Sequence, residues 1–162
     1  MNLTIDMENA SSSPNVPDEK LVHQWVYAAL AEINTGGKDD LELSVRVVDE
    51  EESADLNQRY RHKQGATNVL SFPADLPDSL QLPLLGDLVI CAQIVEREAR
   101  QQDKSLDAHW AHMLIHGSLH LMGYDHIDDR DAEEMELLET KIITSLNFPP
   151  PYEQSPGATN TQ

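Results

Sequence analysis

Residues 106–122 read LDAHWAHMLIHGSLHLM, and the fold turns on this stretch. At helical spacing Trp110, Leu114 and Leu121 share one side, while Ala111, Ile115, Leu119 and Met122 share another. A helix that is apolar almost all round belongs inside a domain. Histidines interrupt it, and a histidine in such a place needs a partner to justify its burial.

The stretch continues as HGSLHLMGYDH, from His116 to His126. Residues four apart on a helix lie one turn apart on the same face, so His116 and His120 can aim their imidazoles at one point. Gly123 is suited to a left-handed turn that ends the helix, which would let the chain reverse and bring His126 to the same point. Three neutral imidazoles around a zinc or similar ion leave a fourth tetrahedral position for water, the catalytic form of such a site. The spacing resembles the metzincin pattern H-E-x-x-H-x-x-G-x-x-H, but its general-base glutamate is replaced here by Gly117. That replacement argues against a peptidase. A glycine inside a helix costs about 1 kcal/mol relative to alanine, and close approach of the backbone to metal or substrate would explain it. His112 lies one turn before His116, and three ligands along one straight helix converge poorly, so His112 is expected beside the metal ligands or in the core and His109 in a structural role.

Working outward, residues 3–7 alternate as a short strand, and residues 10–17 are a Ser- and Pro-rich loop. A helix is expected from Pro17-Asp18 to Gly36-Gly37, carrying Val22, Val26, Ala29, Leu30 and Ile33 at helical spacing. Leu41, Leu43, Val45 and Val47 mark a strand, and a short helix spans about 51–61. Residues 68–72 (NVLSF) read as a strand, 74–85 as a loop, and 86–91 as a strand apolar enough to be buried on both faces. Helices are expected over 92–102 and 131–146, the latter with Met135, Leu138, Ile142 and Leu146 on one face. The mixture predicts an α+β fold, a small mixed sheet of about four strands with helices packed on it and the His-bearing helix at its centre. One domain is expected over residues 1–148, followed by a disordered Pro-rich tail over 149–162.

The 162-residue chain is large enough for one core, with 40% hydrophobic residues but only 5% aromatic ones, so aliphatic side chains must fill it. The lone cysteine, Cys91, sits in the apolar run Leu88-Val89-Ile90 and reads as a small buried hydrophobe, which excludes an internal disulfide framework. No signal-like basic start or membrane-length apolar run is visible, so a cytoplasmic protein is expected. The net charge of −18 opposes general affinity for nucleic acid. Against that background Arg59-Tyr60-Arg61-His62-Lys63 is the densest basic run. It reads equally as a solvated helix end, where cations favour the dipole, and as a phosphate clamp serving a metal hydrolase.

These residues also carry a resemblance. The run HGSLHLMGYDH (116–126), with NQRYRHKQGATNVLSF (57–72) and LGDLVI (85–90), resembles the YbeY family of bacterial metal-dependent endoribonucleases over about residues 41–146. The resemblance implies an α+β fold and a single-strand-specific endoribonuclease acting in small-subunit ribosomal RNA maturation and ribosome quality control. It implies one zinc on His116, His120 and His126, and it places the family's functional arginine on Arg61. The expected site therefore comprises those ligands, Arg61 and His116 in catalysis, and Arg59, Arg61 and Lys63 on substrate. Single-stranded RNA, ribosomal RNA and ribosome-associated proteins are the expected partners. Ala66 stands where relatives often carry proline, which should alter a turn and leave the chemistry intact. Two alternatives keep the metal: a hydrolase of another substrate, and a ribosome-assembly factor whose zinc is structural.

Overall fold

The structure, a computed structural model, describes residues 1–33, 35, 37–75, 77, 82–124 and 128–152. Its elements run β1 (Asn2–Asn9), α1 (Glu19–Ala31), β2 (Asp40–Val48), α2 (Glu50–Arg61), β3 (Val69–Pro73), β4 (Leu84–Cys91), α3 (Ala92–Gln101), α4 (Leu106–Leu121) and α5 (Asp129–Ser145). The four strands form one sheet in the order β1-β2-β4-β3, with β1, β2 and β4 parallel and β3 antiparallel to β4. This is the α+β mixed sheet that the sequence predicts.

Period-two patterning decides which way each strand faces. In β2, Leu41, Leu43, Val45 and Val47 join the main core with Val22, Trp25, Val26 and Leu30 of α1 and with α4. Strand β4 is covered on both sides, as its continuous apolar run requires. Leu88 and Ile90 enter the main core, while Val89 and the buried Cys91 join a smaller cluster with Leu70, Leu56 of α2 and Ile94 of α3. Helix α4 lies in the middle, with Trp110, Ala111, Leu114, Ile115 and Leu119 almost fully buried. Local chemistry sets where helices begin: Asp18, Ser105 and Asp128 each accept an N-terminal amide, from Leu21, Ala108 and Asp131 respectively.

Three expectations need correction. Helix α1 stops at Ala31, short of Gly36-Gly37, with Glu32 as its C-cap. Strand β4 starts at Leu84, inside the stretch expected as loop; Leu76 and residues 78–81 of that stretch lie outside the described residues. The third concerns Gly117. A Cβ at this position would stand 2.8 Å from Leu88 Cδ2 and 3.3 Å from Val69 Cγ2. The glycine lets α4 lie close on β4 and β3, so its cost is offset by helix-sheet packing and not by approach to a metal. Gly86 is constrained more severely: its φ is +144° and a Cβ would meet the Phe72 carbonyl oxygen at 2.3 Å.

Candidate metal centre

Helix α4 ends as Gly123 suggests. Gly123 has φ +96°, its amide donates to the His120 carbonyl, and the Tyr124 amide donates to the Leu119 carbonyl. This pair of bonds is the left-handed reversal that glycine permits. His126, the expected third ligand after that reversal, lies outside the described residues.

His116 and His120 are brought together as their spacing predicts. Their Nε2 atoms stand 3.1 Å apart with ring centroids at 4.6 Å. Two imidazole nitrogens bound to one tetrahedral zinc at ~2.1 Å lie about 3.4 Å apart, so this pair needs only a few tenths of an ångström to share an ion. On the far side of the same ring, His116 Nδ1 is 2.6 Å from Glu139 Oε2. A carboxylate on Nδ1 fixes the tautomer: Nδ1–H donates to Glu139 and the Nε2 lone pair is left pointing at His120.

Sequence reasoning missed Glu139. Its side chain is fully buried, and burial would raise its pKa, but the two imidazoles against it, His112 and the hydrogen-bonded His116, hold the carboxyl down at about 2. A carboxylate kept ionised in a dry interior marks a built site. The signal was legible: Glu139 sits four residues after Met135 and three before Ile142, on the apolar face of α5. Tyr152 was missed as well. Its hydroxyl donates to Glu139 Oε1, so residues 149–152 of the expected tail reach back to the centre, while residues 153–162 lie outside the described residues.

His112 lies 3.4 Å from Glu139 Oε2, too poorly directed for a hydrogen bond by geometry, and neither of its ring nitrogens has another partner among the described residues. Burial lowers its pKa against the pull of Glu139, so the ring is neutral. His112, His116 and Glu139 each offer a ligand atom within 4.8 Å of the others, a group that can hold a metal ion. His109, expected to be structural, places Nε2 2.8 Å from Glu98, which also receives Asn68.

The basic run is spread over the end of α2. Arg59 is 2.9 Å from Asp55, whereas Arg61 and Lys63 are exposed and form no ion pair among the described residues. Tyr60 packs edge-on to Phe72 of β3, with ring centroids 5.2 Å apart, which ties this helix end to the edge strand. That strand is joined to the central helix where Ser71 Oγ donates to the Gly117 carbonyl at 3.3 Å. The basic turn and the histidines thus share β3 as a common support.

Fold and site together define a class: an α+β protein whose central helix and last helix build a buried histidine-carboxylate centre able to hold a metal ion. Comparison with known proteins narrows this. A family model described as Endoribonuclease YbeY matches residues 6–147. The Endoribonuclease YbeY of Cellvibrio japonicus (strain Ueda107) is 54% identical over 151 residues, covering 93% of this chain and 84% of that protein. Among solved structures, the solution structure of TM1509 from Thermotoga maritima superposes with a TM-score of 0.57 at 27% identity, covering 88% of this chain and 89% of that one. The chain belongs to the YbeY endoribonuclease family.

Proposed function

We propose that the protein is a zinc-dependent, single-strand-specific endoribonuclease of ribosomal RNA maturation, with the metal on His116, His120 and His126. The observation that carries this reading is the facing pair of Nε2 atoms on His116 and His120, with Glu139 on the opposite nitrogen of His116. The alternative grouping of His112, His116 and Glu139 requires His116 to bind through Nδ1, the nitrogen already 2.6 Å from Glu139. At that separation the contact is a hydrogen bond, and a carboxylate-histidine pair is the usual support of a metal ligand. His112 then packs beside the ligands.

A zinc ion held there supplies a Lewis acid for phosphodiester chemistry. The rest is performed by the chain. Glu139 orients His116 and holds the proton on its Nδ1, leaving Nε2 as the nitrogen that can bind a metal. Arg61, exposed beside β3, neutralises charge on the phosphoryl oxygens of RNA, and Lys63 adds to the positive field; Arg59 is shared with Asp55. Substrate reaches an acidic protein because these cations are concentrated at one helix end. Membership of an RNA-processing family supports ribosomal partners and a cytoplasmic setting; no helix among the described residues is long and apolar enough to cross a membrane.

The test is cleavage of single-stranded RNA by purified protein alongside His116→Ala and Arg61→Ala. Both variants should lose cleavage while remaining folded by circular dichroism; full activity in either rejects the site. A substrate with deoxyribose at the scissile position separates two nucleophiles, because resistance to cutting identifies the 2′-hydroxyl and equal cutting identifies water.

A further inference from the structure

After α5 the chain turns sharply at Asn147, whose φ is +70°, and Phe148 anchors edge-on against Trp25 with ring centroids 6.1 Å apart. Pro149, Pro150 and Pro151 follow. A triple proline is stiff and extended, so it delivers the next residue to a fixed place at little entropic cost. That residue is Tyr152. Its hydroxyl donates to Glu139 Oε1, and its ring meets the edge of His112 with centroids 5.4 Å apart. Glu139 therefore has each oxygen occupied: Oε1 by Tyr152, and Oε2 by His116 with His112 nearby. The strap and Tyr152 line a cleft of about 1080 Å³ with Glu98, Lys104, His109 and His112.

We propose that Tyr152 is a positioning residue for the metal centre: by holding Glu139 Oε1 it fixes Oε2 on His116 Nδ1 and so sets the affinity of a metal bound at His116 Nε2. The inference rests on the metal reading of the preceding subsection. A buried carboxylate oxygen without a donor must take up water, rotate or bind a proton. Each of these loosens Oε2 from His116, and outer-shell partners of metal ligands are worth 10–100-fold in affinity. Burial beside the Glu139 charge pushes the Tyr152 hydroxyl well above its ordinary pKa, so it remains a donor.

The experiment is zinc affinity measured by chelator competition on the full chain, with the melting temperature of each metal-free variant recorded beside it. Tyr152→Phe, which keeps the ring and removes only the hydroxyl, should bind zinc about 10-fold more weakly than wild type. Added to Glu139→Gln, the same substitution should change affinity by less than about twofold, because the two act through one hydrogen bond. Unchanged affinity in Tyr152→Phe overturns the proposal, as does an equal loss in both backgrounds, which would mark a general structural effect. His116→Ala serves as the control on the underlying reading. If it binds zinc as tightly as wild type, the metal assignment itself falls; if it loses zinc while Tyr152→Phe does not, only the role of Tyr152 falls.

Discussion

Glu139 is the residue of the centre least visible in the sequence. Helix α5 carries many carboxylates, and only its phase relative to Met135 and Ile142 separates Glu139 from the solvated ones. Phase was enough to find it, but a single acidic residue on an apolar face is outweighed by its neighbours until α4 is seen to place two histidines opposite. Glu139→Gln preserves shape and one acceptor but removes the charge, so zinc affinity should fall by 10–100-fold while the metal-free protein stays folded. Isothermal titration with zinc checks this, and unchanged affinity would show that Glu139 does not support the metal. Gly117 teaches the opposite lesson. The sequence showed that a helix interior was paying for a glycine, but the cause, Leu88 of β4 pressing on α4, is a long-range contact that no local pattern contains.

At the scale of elements, the body and end of α4 were legible: its apolar character all round and the glycine that reverses the chain after it. Its partners were less so. The expected start of β4 at Gly86 missed Leu84 and Leu85, because the Pro- and Leu-rich stretch before it shows little period-two pattern; Gly86 is in fact an interior strand residue against the Phe72 carbonyl. Gly86→Ala should cost at least about 3 kcal/mol, combining backbone strain with a clash against main chain that cannot move aside. Chemical denaturation checks it, and a loss below about 1 kcal/mol would contradict the close β3-β4 approach. Another joint ties three elements: Glu98 of α3 holds His109 of α4 and Asn68 ahead of β3. Burial would raise the Glu98 pKa, but these bonds outweigh it and the carboxyl sits below 4.5. The unfolded chain therefore takes up a proton before the folded one does, and stability supplied by Glu98 is present above 4.5 and lost as pH falls through the folded value. Melting temperatures from about pH 6 to about pH 3 should fall more steeply for wild type than for Glu98→Gln. Parallel curves would remove Glu98 from the account.

For the molecule as a whole, the sequence established the α+β class because strand and helix periods are local properties, and α4 announced itself as central. The strand order β1-β2-β4-β3 and the closing strap were not legible, since both depend on which distant surfaces meet. The charge of −18 sets a further expectation. An acidic protein that holds RNA through few cations releases few counterions, so its RNA affinity should depend weakly on salt, and Arg61→Ala should lower the salt slope by about one. Filter binding over a salt series checks this, and a steep slope retained in Arg61→Ala would place the RNA elsewhere.

The most direct test of the central claim is a zinc titration of His120→Ala beside His112→Gln. With the metal on the Nε2 pair of His116 and His120, His120→Ala should lose more than about 100-fold in affinity and His112→Gln should retain most of it, a separation larger than an outer-shell partner produces. Wild-type affinity in His120→Ala, with binding lost in His112→Gln, would move the ion to the group of His112, His116 and Glu139 and contradict the account.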